Sequence, residues 1–309
     1  MTAPRVALFG YSDVGHACLS LLLERGVNVV AAYTHRDDPS ERLWFPSLAA
    51  LARDHRIAVR EDADFREATE VSRLADLRPD LLLSCYYRRI LPPPVLSIPP
   101  LGAFNLHGSL LPRYRGRAPV NWAVLNGEAA TGATLHVMTD RADAGDIVDQ
   151  EAVPIGPDDT AGEVQGRVTR AALLVLERQF PALLAGRAPR RPQDESLATR
   201  FGRRRPEDGA FAWTWTAAAI HDLVRAVSHP YPGAFTPLGA DRLTLWRTRR
   251  IGRVGSAAPG AIVVREDRAC VACGDGEWLE LLDAQVNDEA PLRGAILAER
   301  LARRPAPTA

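Results

Sequence analysis

Two polar side chains that could act on the same reacting atom are separated by a single residue near the middle of the chain. Asn105 and His107 follow residues 102–104, which predict the end of a short buried strand. In an extended backbone, residues i and i+2 point to the same side, so this amide and this imidazole should converge. An amide N–H can stabilise an oxyanion, and an imidazole can transfer a proton.

A carboxylate further along the chain could complete a catalytic set. Asp143 lies in a predicted loop at residues 141–146, which contains a glycine. A carboxylate that reached the imidazole of His107 would fix its tautomer and increase its basicity. An oxyanion donor, an acid/base and an orienting group are what acyl or formyl transfer requires. An Asn-x-His pair is common, however, and by itself also fits a purely structural role.

The whole block of residues 102–145 resembles the folate-dependent formyltransferase family. That family carries Asn-x-His-x-Ser-Leu-Leu-Pro, then Tyr/Trp-Arg-Gly and later Asp-x-Gly, and all three motifs occur here, beginning at Asn105, Tyr114 and Asp143. The resemblance implies formyl transfer from N10-formyltetrahydrofolate to a primary amine. It also implies that Asn105 is the oxyanion donor, that His107 is the acid/base and that Asp143 orients His107.

The family's folate-contacting positions can also be transferred to this sequence. Backbone groups at these positions could bind the pterin edge, although ordinary solvated loops are the alternative. The implied co-substrate is 10-formyltetrahydrofolate, and no metal is implied. The remaining histidines show no metal-ligand spacing and are expected to be structural. The predicted folate contacts are Arg89, Ile90, Leu91, Arg117, Thr139, Asp140, Arg141 and Ala142.

Alternating strand and helix patterns in the first 190 residues must position these side chains. The pattern predicts an α/β fold with a doubly wound, Rossmann-like parallel sheet. The first turn, residues 10–15, lacks the middle glycine of the dinucleotide fingerprint, so we expect no dinucleotide cofactor. Strands are predicted at residues 6–9, 27–33, 81–85, 134–138 and 147–155, and helices at 14–25, 45–55, 65–77 and 160–184.

A second, smaller domain is predicted after a segment rich in glycine, proline and arginine. We expect a catalytic domain at residues 1–190, a linker at 191–205, a C-terminal domain at 206–303 and a disordered tail at 304–309. A helix near residues 217–227 precedes short strands separated by turns, which indicates a barrel or a sandwich. The resemblance implies a small open β-barrel of the OB-like type.

The acceptor is expected to be a nucleotide-linked amino sugar. Residues 114–122, 201–208 and 225–235 resemble the domain that formylates UDP-4-amino-4-deoxy-L-arabinose in polymyxin resistance, which implies a role in lipid A modification. Methionyl-tRNA formyltransferases, a more distant resemblance, insert a long basic loop after the second strand. The corresponding residues 34–45 are few and include Asp37, Asp38 and Glu41. Two alternatives remain, a methionyl-tRNA formyltransferase and a non-catalytic folate- or nucleotide-binding module.

Composition limits the partners further. The 38 basic side chains are all arginine and are balanced by 38 acidic ones, so a lysine Schiff base is excluded and no nucleic-acid partner is expected. Cys270 and Cys273 have metal-ligand spacing but lack a second Cys/His pair, so no metal is expected. Without a signal sequence or a membrane-length apolar run, the protein is expected to be cytoplasmic, with no membrane partner. The sequence allows a homo-oligomer.

Overall fold

A computed structural model of the 309-residue chain describes residues 3–37 and 43–302. The predicted tail at 304–309 and the loop residues Asp38 and Glu41 lie outside the described residues. Among the described helices, none is long and apolar enough to cross a membrane. The chain divides into two compact units, the first formed by residues 1–119, 130–154 and 166–202, and the second by residues 120–129, 155–165 and 203–309.

The first unit contains a seven-stranded sheet with helices between its strands. The elements up to the end of the long helix are β1 (Arg5–Gly10), α1 (Ser12–Glu24), β2 (Asn28–Thr34), α2 (Leu48–Asp54), β3 (Ala58–Glu61), α3 (Ala68–Asp76), β4 (Leu81–Cys85), α4 (Pro93–Leu96), β5 (Ala103–His107), β6 (Arg115–Gly116), α5 (Pro119–Leu125), β7 (Ala130–Val137), β8 (Ile147–Pro154) and α6 (Ala161–Leu184). The second unit includes most of α5 and the start of α6.

The strand order β3-β2-β1-β4-β5-β7-β8 confirms the predicted Rossmann-like sheet. Strands β1 to β5 pair in parallel, whereas β7 and β8 are antiparallel additions at one edge. All five residues of β4 are buried, as expected for a central strand covered on both faces. The order reverses between β1 and β4, and ligands bind α/β sheets at the carboxyl ends of such strands.

Strand β5 is longer than the sequence predicts, because it continues through His107. It pairs in parallel with β4 and antiparallel with β7. Within this ladder Asn105 lies opposite His136, and His107 lies opposite Thr134. Asn105 and His107 are therefore held on one face of a strand that is paired on both sides, which gives them a rigid support.

The segment predicted as a linker folds onto the first unit as far as Gly202. We call residues 191–202 the strap. It contains a 3-10 helix (Glu195–Leu197) and β9 (Arg200–Phe201), which pairs in parallel with β6. Its first residue exchanges two backbone hydrogen bonds with Ile147, at 2.8 and 2.9 Å. Composition predicts a linker because the strap is polar, but its main chain is bound to both β6 and β8.

The second unit contains an antiparallel sheet in the order β10-β11-β14-β13-β12, with β15 paired to β14. Within the described residues, β10 and β12 stand at the two ends of this order and are not paired with each other, so the sheet is open. The sequence does not predict helix α8. The elements are a 3-10 helix (Pro206–Gly209), α7 (Ala217–Val227), β10 (Ala234–Leu238), β11 (Asp241–Gly252), β12 (Ile262–Arg265), β13 (Arg268–Ala272), β14 (Trp278–Val286), β15 (Leu292–Arg293) and α8 (Gly294–Ala302).

The pairing of the strap with β6 requires glycine at position 116. Gly116 has a φ of +102°, and a Cβ there would lie 2.2 Å from the carbonyl oxygen of Phe201. We expect Gly116→Ala to lower the free energy of unfolding by about 1–3 kcal/mol, because both the backbone conformation and the close approach are lost. Chemical denaturation of the full chain measures this change.

Gly166→Ala is the matched control. Gly166 lies inside α6, and a Cβ there meets no atom within 4 Å. This substitution should leave the free energy of unfolding unchanged or raise it by about 0.4–1 kcal/mol. Equal stability for the two variants would contradict the tight contact between β6 and the strap.

Candidate active site

The carboxylate of Asp143 is the centre of a polar cluster in the first unit. Its Oδ1 lies 3.6 Å from Nδ1 of His107, 3.5 Å from Nε2 of His136 and 3.5 Å from Nδ2 of Asn105. Its Oδ2 accepts a hydrogen bond of 2.8 Å from the backbone N–H of Gly116. The structure therefore brings together all three residues predicted to be catalytic, and adds a second histidine.

The surroundings of Asp143 keep its side chain ionised. Burial by itself would raise the pKa of this carboxyl group, since it disfavours the charged form. The neighbouring His107 and His136 and the N–H of Gly116 outweigh this effect and hold the pKa of Asp143 well below its usual range. At neutral pH the site therefore contains a fixed negative charge beside two imidazoles.

The ring of His107 is oriented by a main-chain carbonyl. His107 Nε2 donates a hydrogen bond of 2.8 Å to the oxygen of Tyr114. A carbonyl oxygen can only accept, so Nε2 must carry a hydrogen. The nitrogen that can gain or lose a proton is then Nδ1, which faces Asp143. The sequence motif indicates Asp143 as the orienting group, but it does not reveal the contribution of Tyr114.

Asn105 is oriented by His136, a residue that the sequence predicts to be structural. His136 Nδ1 donates to the oxygen of Val137 at 2.9 Å, so its neutral ring accepts at Nε2. The amide nitrogen of Asn105 lies 3.0 Å from that Nε2 and donates to it. The nearest acceptor for the second amide hydrogen is Asp143 Oδ1 at 3.5 Å, the limit of a hydrogen bond, so this hydrogen can be redirected to a ligand.

Among the predicted folate contacts, the segment after β4 is tied to its surroundings by two arginines. Arg89 donates to the backbone oxygens of Asp62 and Ala63 at 2.9 and 2.8 Å. Arg117 donates to the oxygen of Arg88 at 2.6 Å. These bonds fix the main chain of the segment, while both guanidinium groups are already engaged.

The two apolar residues of this segment have opposite environments. Ile90 is 66% exposed, whereas Leu91 is 1% exposed and packs in the core of the first unit. The side chain of Leu91 therefore offers no surface to a ligand. An exposed isoleucine on an anchored loop provides an apolar surface suited to a flat aromatic ring.

The other four predicted contacts, residues 139–142, immediately precede Asp143. The Thr139 hydroxyl donates to the oxygen of Arg141 at 3.0 Å, and Arg141 forms an ion pair of 3.3 Å with Glu195 in the strap. Asp140 is exposed and Ala142 is half-buried. This stretch is therefore an ordered surface turn that leads directly into the polar cluster.

Among the described parts of the chain, no group of three or more His, Cys, Asp or Glu side chains could hold a metal ion. The four cysteines are free and buried, and burial raises the pKa of the Cys273 thiol to about 12. The Cys273 thiol is therefore protonated at neutral pH, and all four buried side chains contribute to packing.

Comparison with known proteins establishes the family. Residues 5–178 match the family described as formyl transferase, and residues 204–301 match the family described as formyl transferase, C-terminal domain. The chain belongs to the formyl transferase family. This result confirms the family and the enzyme class predicted from the motifs around Asn105 and Asp143.

Solved structures with a similar fold agree with this assignment. An N-formyltransferase from Helicobacter canadensis, in complex with folinic acid and dTDP-3-aminofucose, is 18% identical with a TM-score of 0.72, covering 90% of this chain and 98% of that one. WlaRD, a sugar 3N-formyl transferase studied with dTDP and 5-N-formyl-THF, is 18% identical with a TM-score of 0.71, covering 94% of this chain and 100% of that one. HypX from Aquifex aeolicus, in complex with tetrahydrofolic acid, is 17% identical with a TM-score of 0.66, covering 98% of this chain and 48% of that one.

The low pKa of Asp143 leads to a prediction about stability and pH. A depressed pKa in the folded state stabilises the fold above the ordinary aspartate value, and this contribution disappears as the pH falls. The difference in free energy of unfolding between wild type and Asp143→Asn should therefore shrink below about pH 4. Urea denaturation at several pH values measures it. Asp76→Asn, at an exposed position on α3, is the control. If the difference in free energy of unfolding between wild type and Asp143→Asn stayed constant in acid, this would contradict the low pKa of Asp143.

Proposed function

We propose that this enzyme transfers a formyl group from 10-formyltetrahydrofolate to the primary amine of a nucleotide-linked amino sugar, such as UDP-4-amino-4-deoxy-L-arabinose. The observation that carries the proposal is that Asn105 and His107 both lie within 3.6 Å of one carboxylate oxygen of Asp143. Together they offer a hydrogen-bond donor, a proton acceptor and a fixed negative charge, which formyl transfer to an amine requires.

Asn105 stabilises the negative charge that develops during the reaction. Attack of the amine on the formyl carbon, which the bound folate supplies, places this charge on the formyl oxygen. The amide hydrogen of Asn105 that His136 does not engage donates to that oxygen. Because one hydrogen is already bound to His136 at 3.0 Å, the amide is oriented before the substrate binds. Loss of such a donor costs about 10²–10³ in rate.

His107 moves the proton. Its Nδ1 accepts the proton that the amine loses and later delivers it to the nitrogen that leaves. Asp143, ionised and 3.6 Å away, stabilises the imidazolium while it exists. The bond from Nε2 to the oxygen of Tyr114 persists in both protonation states, so the ring keeps its orientation throughout.

The residues predicted to contact folate fit a folate in part through their main chain. Arg89 and Arg117 anchor the segment after β4, and Ile90 offers its exposed side chain to an aromatic ring. The turn at 139–142 presents backbone groups next to Asp143 and could bind the pterin edge. The folate compounds named for the similar solved structures support the same co-substrate.

The nature of the acceptor rests on two observations. Residues 114–122 resemble those of the UDP-4-amino-4-deoxy-L-arabinose enzyme, and two proteins of similar fold are described with dTDP or a dTDP-linked amino sugar. A role in lipid A modification follows only if the sugar is the arabinose derivative. A methionyl-tRNA acceptor is disfavoured because tRNA affinity depends on neutralising phosphates, and this chain has a net charge of zero. A non-catalytic module would not need this polar cluster.

The mechanism predicts the behaviour of two single variants and their combination. His107→Ala and Asp143→Ala should each lower kcat by about 10²–10⁴, because one removes the proton acceptor and the other its stabilising charge. The double variant should be little worse than the worse single variant, since the two residues act as a unit. His55→Ala, an exposed histidine of the same unit, is the matched control. Turnover within tenfold of wild type for either single variant would refute the proposed roles.

The acceptor is tested by direct competition. UDP-4-amino-4-deoxy-L-arabinose, a dTDP-linked amino sugar and methionyl-tRNA are offered at equal concentration with 10-formyltetrahydrofolate, and the formylated products are quantified. We expect a sugar nucleotide to be formylated fastest. Whichever of the UDP-linked and dTDP-linked sugars reacts faster identifies the nucleotide that the enzyme prefers. Faster formylation of methionyl-tRNA would instead favour the tRNA enzyme.

A further inference from the structure

Gln193 in the strap contacts the loop that carries Asp143. Its side-chain Nε2 donates to the backbone oxygen of Asp143 at 2.9 Å and to that of Gly145 at 2.7 Å. One amide group therefore holds the main chain on both sides of Ala144. No other part of the strap has a described side-chain hydrogen bond to these two carbonyls.

Arg115 fixes the orientation of this amide. Its guanidinium donates from Nη2 and Nε to Gln193 Oε1, at 2.7 and 3.2 Å. Because a guanidinium only donates, the oxygen of the amide must face Arg115 and the nitrogen must face the loop. Arg115 is 2% exposed and is itself paired with Glu195 at 2.9 and 3.0 Å, so it cannot turn away without losing the partner of a buried charge.

Glutamine suits this position because it must donate and accept at the same time. The amide nitrogen uses both hydrogens on the loop, and the oxygen accepts two hydrogen bonds from Arg115. A glutamate could still bind Arg115 but would set a carboxylate oxygen against two carbonyl oxygens. The substitution Gln193→Glu would therefore keep one half of the contact and lose the other.

The loop needs such support because its backbone is strained at the reactive residue. Asp143 has a φ of +54°, a left-handed conformation that surrounding contacts must maintain. Gly145 passes so close to β7 that a Cβ there would lie 2.0 Å from the oxygen of Val137. Gln193 holds the backbone of Asp143, while Gly116, next to Arg115, holds the carboxylate.

We propose that Gln193 is a positioning residue for formyl transfer. By holding the loop of Asp143, it places the carboxylate against His107 without itself contacting the reacting groups. This inference rests on the role given to Asp143 in the proposed function. Displacement of a catalytic group by about 1 Å can cost ~10²-fold in rate. Removing the amide donor should therefore lower kcat, whereas KM for both substrates should change little, because the hydrogen bonds of Gln193 go to Asp143, Gly145 and Arg115, outside the predicted folate contacts.

The test uses full-length variants. Gln193→Ala and the isosteric Gln193→Glu are compared with Gln179→Ala. Gln179 lies on α6, and its side chain donates a hydrogen bond of 2.8 Å to Asp149. Thermal unfolding is recorded for each, and the glutamate variant carries the test if the alanine variant is unfolded at the assay temperature. We expect both Gln193 variants to lose about 10- to 100-fold in kcat. Gln179→Ala should match wild type.

Combination with Asp143→Ala separates positioning from a general structural effect. Because Gln193 acts through Asp143, Gln193→Ala should cause no further loss of kcat in the Asp143→Ala background. Multiplicative losses, or wild-type kcat for Gln193→Glu, would overturn the inference while leaving the proposed function intact. Wild-type kcat for Asp143→Ala alone would instead refute the proposed role of Asp143, and this inference with it.

Discussion

The site depends on the interaction of one ionised, half-buried carboxylate, Asp143, with two imidazoles. Burial disfavours the charged form of Asp143, but His107, His136 and the N–H of Gly116 outweigh this effect and keep the pKa of its carboxyl group low. The same contacts connect three separate parts of the chain, namely β5, β7 and the turn around β6. The charge that would serve catalysis therefore also joins the elements that surround it.

The surrounding loops adopt conformations that they could not maintain alone. Tyr114 and Asp143 have φ angles of +60° and +54°, and both are held by the strap. Tyr114 stacks on Phe201 with ring centroids 4.9 Å apart, and its N–H donates to the Thr199 hydroxyl at 2.8 Å. The carbonyl that orients His107 and the loop that carries Asp143 thus depend on a segment far along the chain. The part of the chain that holds this polar cluster therefore extends beyond α6.

The sequence predicts the parts of the site that follow from local geometry. Asn105 and His107 are identifiable because i and i+2 share one face of a strand, and Asp143 is identifiable from the motif in which it stands. The role of His136 escapes sequence reasoning because it depends on the register between β5 and β7, which places His136 opposite Asn105. The orienting oxygen of Tyr114 belongs to the main chain and has no side-chain pattern. Composition predicts a linker at the residues that form the strap. The main-chain pairing of these residues with β6 and β8 cannot be inferred from amino-acid composition.

The most direct test of this arrangement is the tautomer of His107. ¹⁵N NMR of the full-length protein, with ring signals assigned by their loss in His107→Gln, reports which nitrogen of the neutral ring carries the hydrogen. Because the carbonyl of Tyr114 can only accept, the arrangement predicts hydrogen on Nε2 and a free Nδ1 facing Asp143. A neutral ring with hydrogen on Nδ1 would contradict it, since the nitrogen assigned to accept the amine proton would already be occupied.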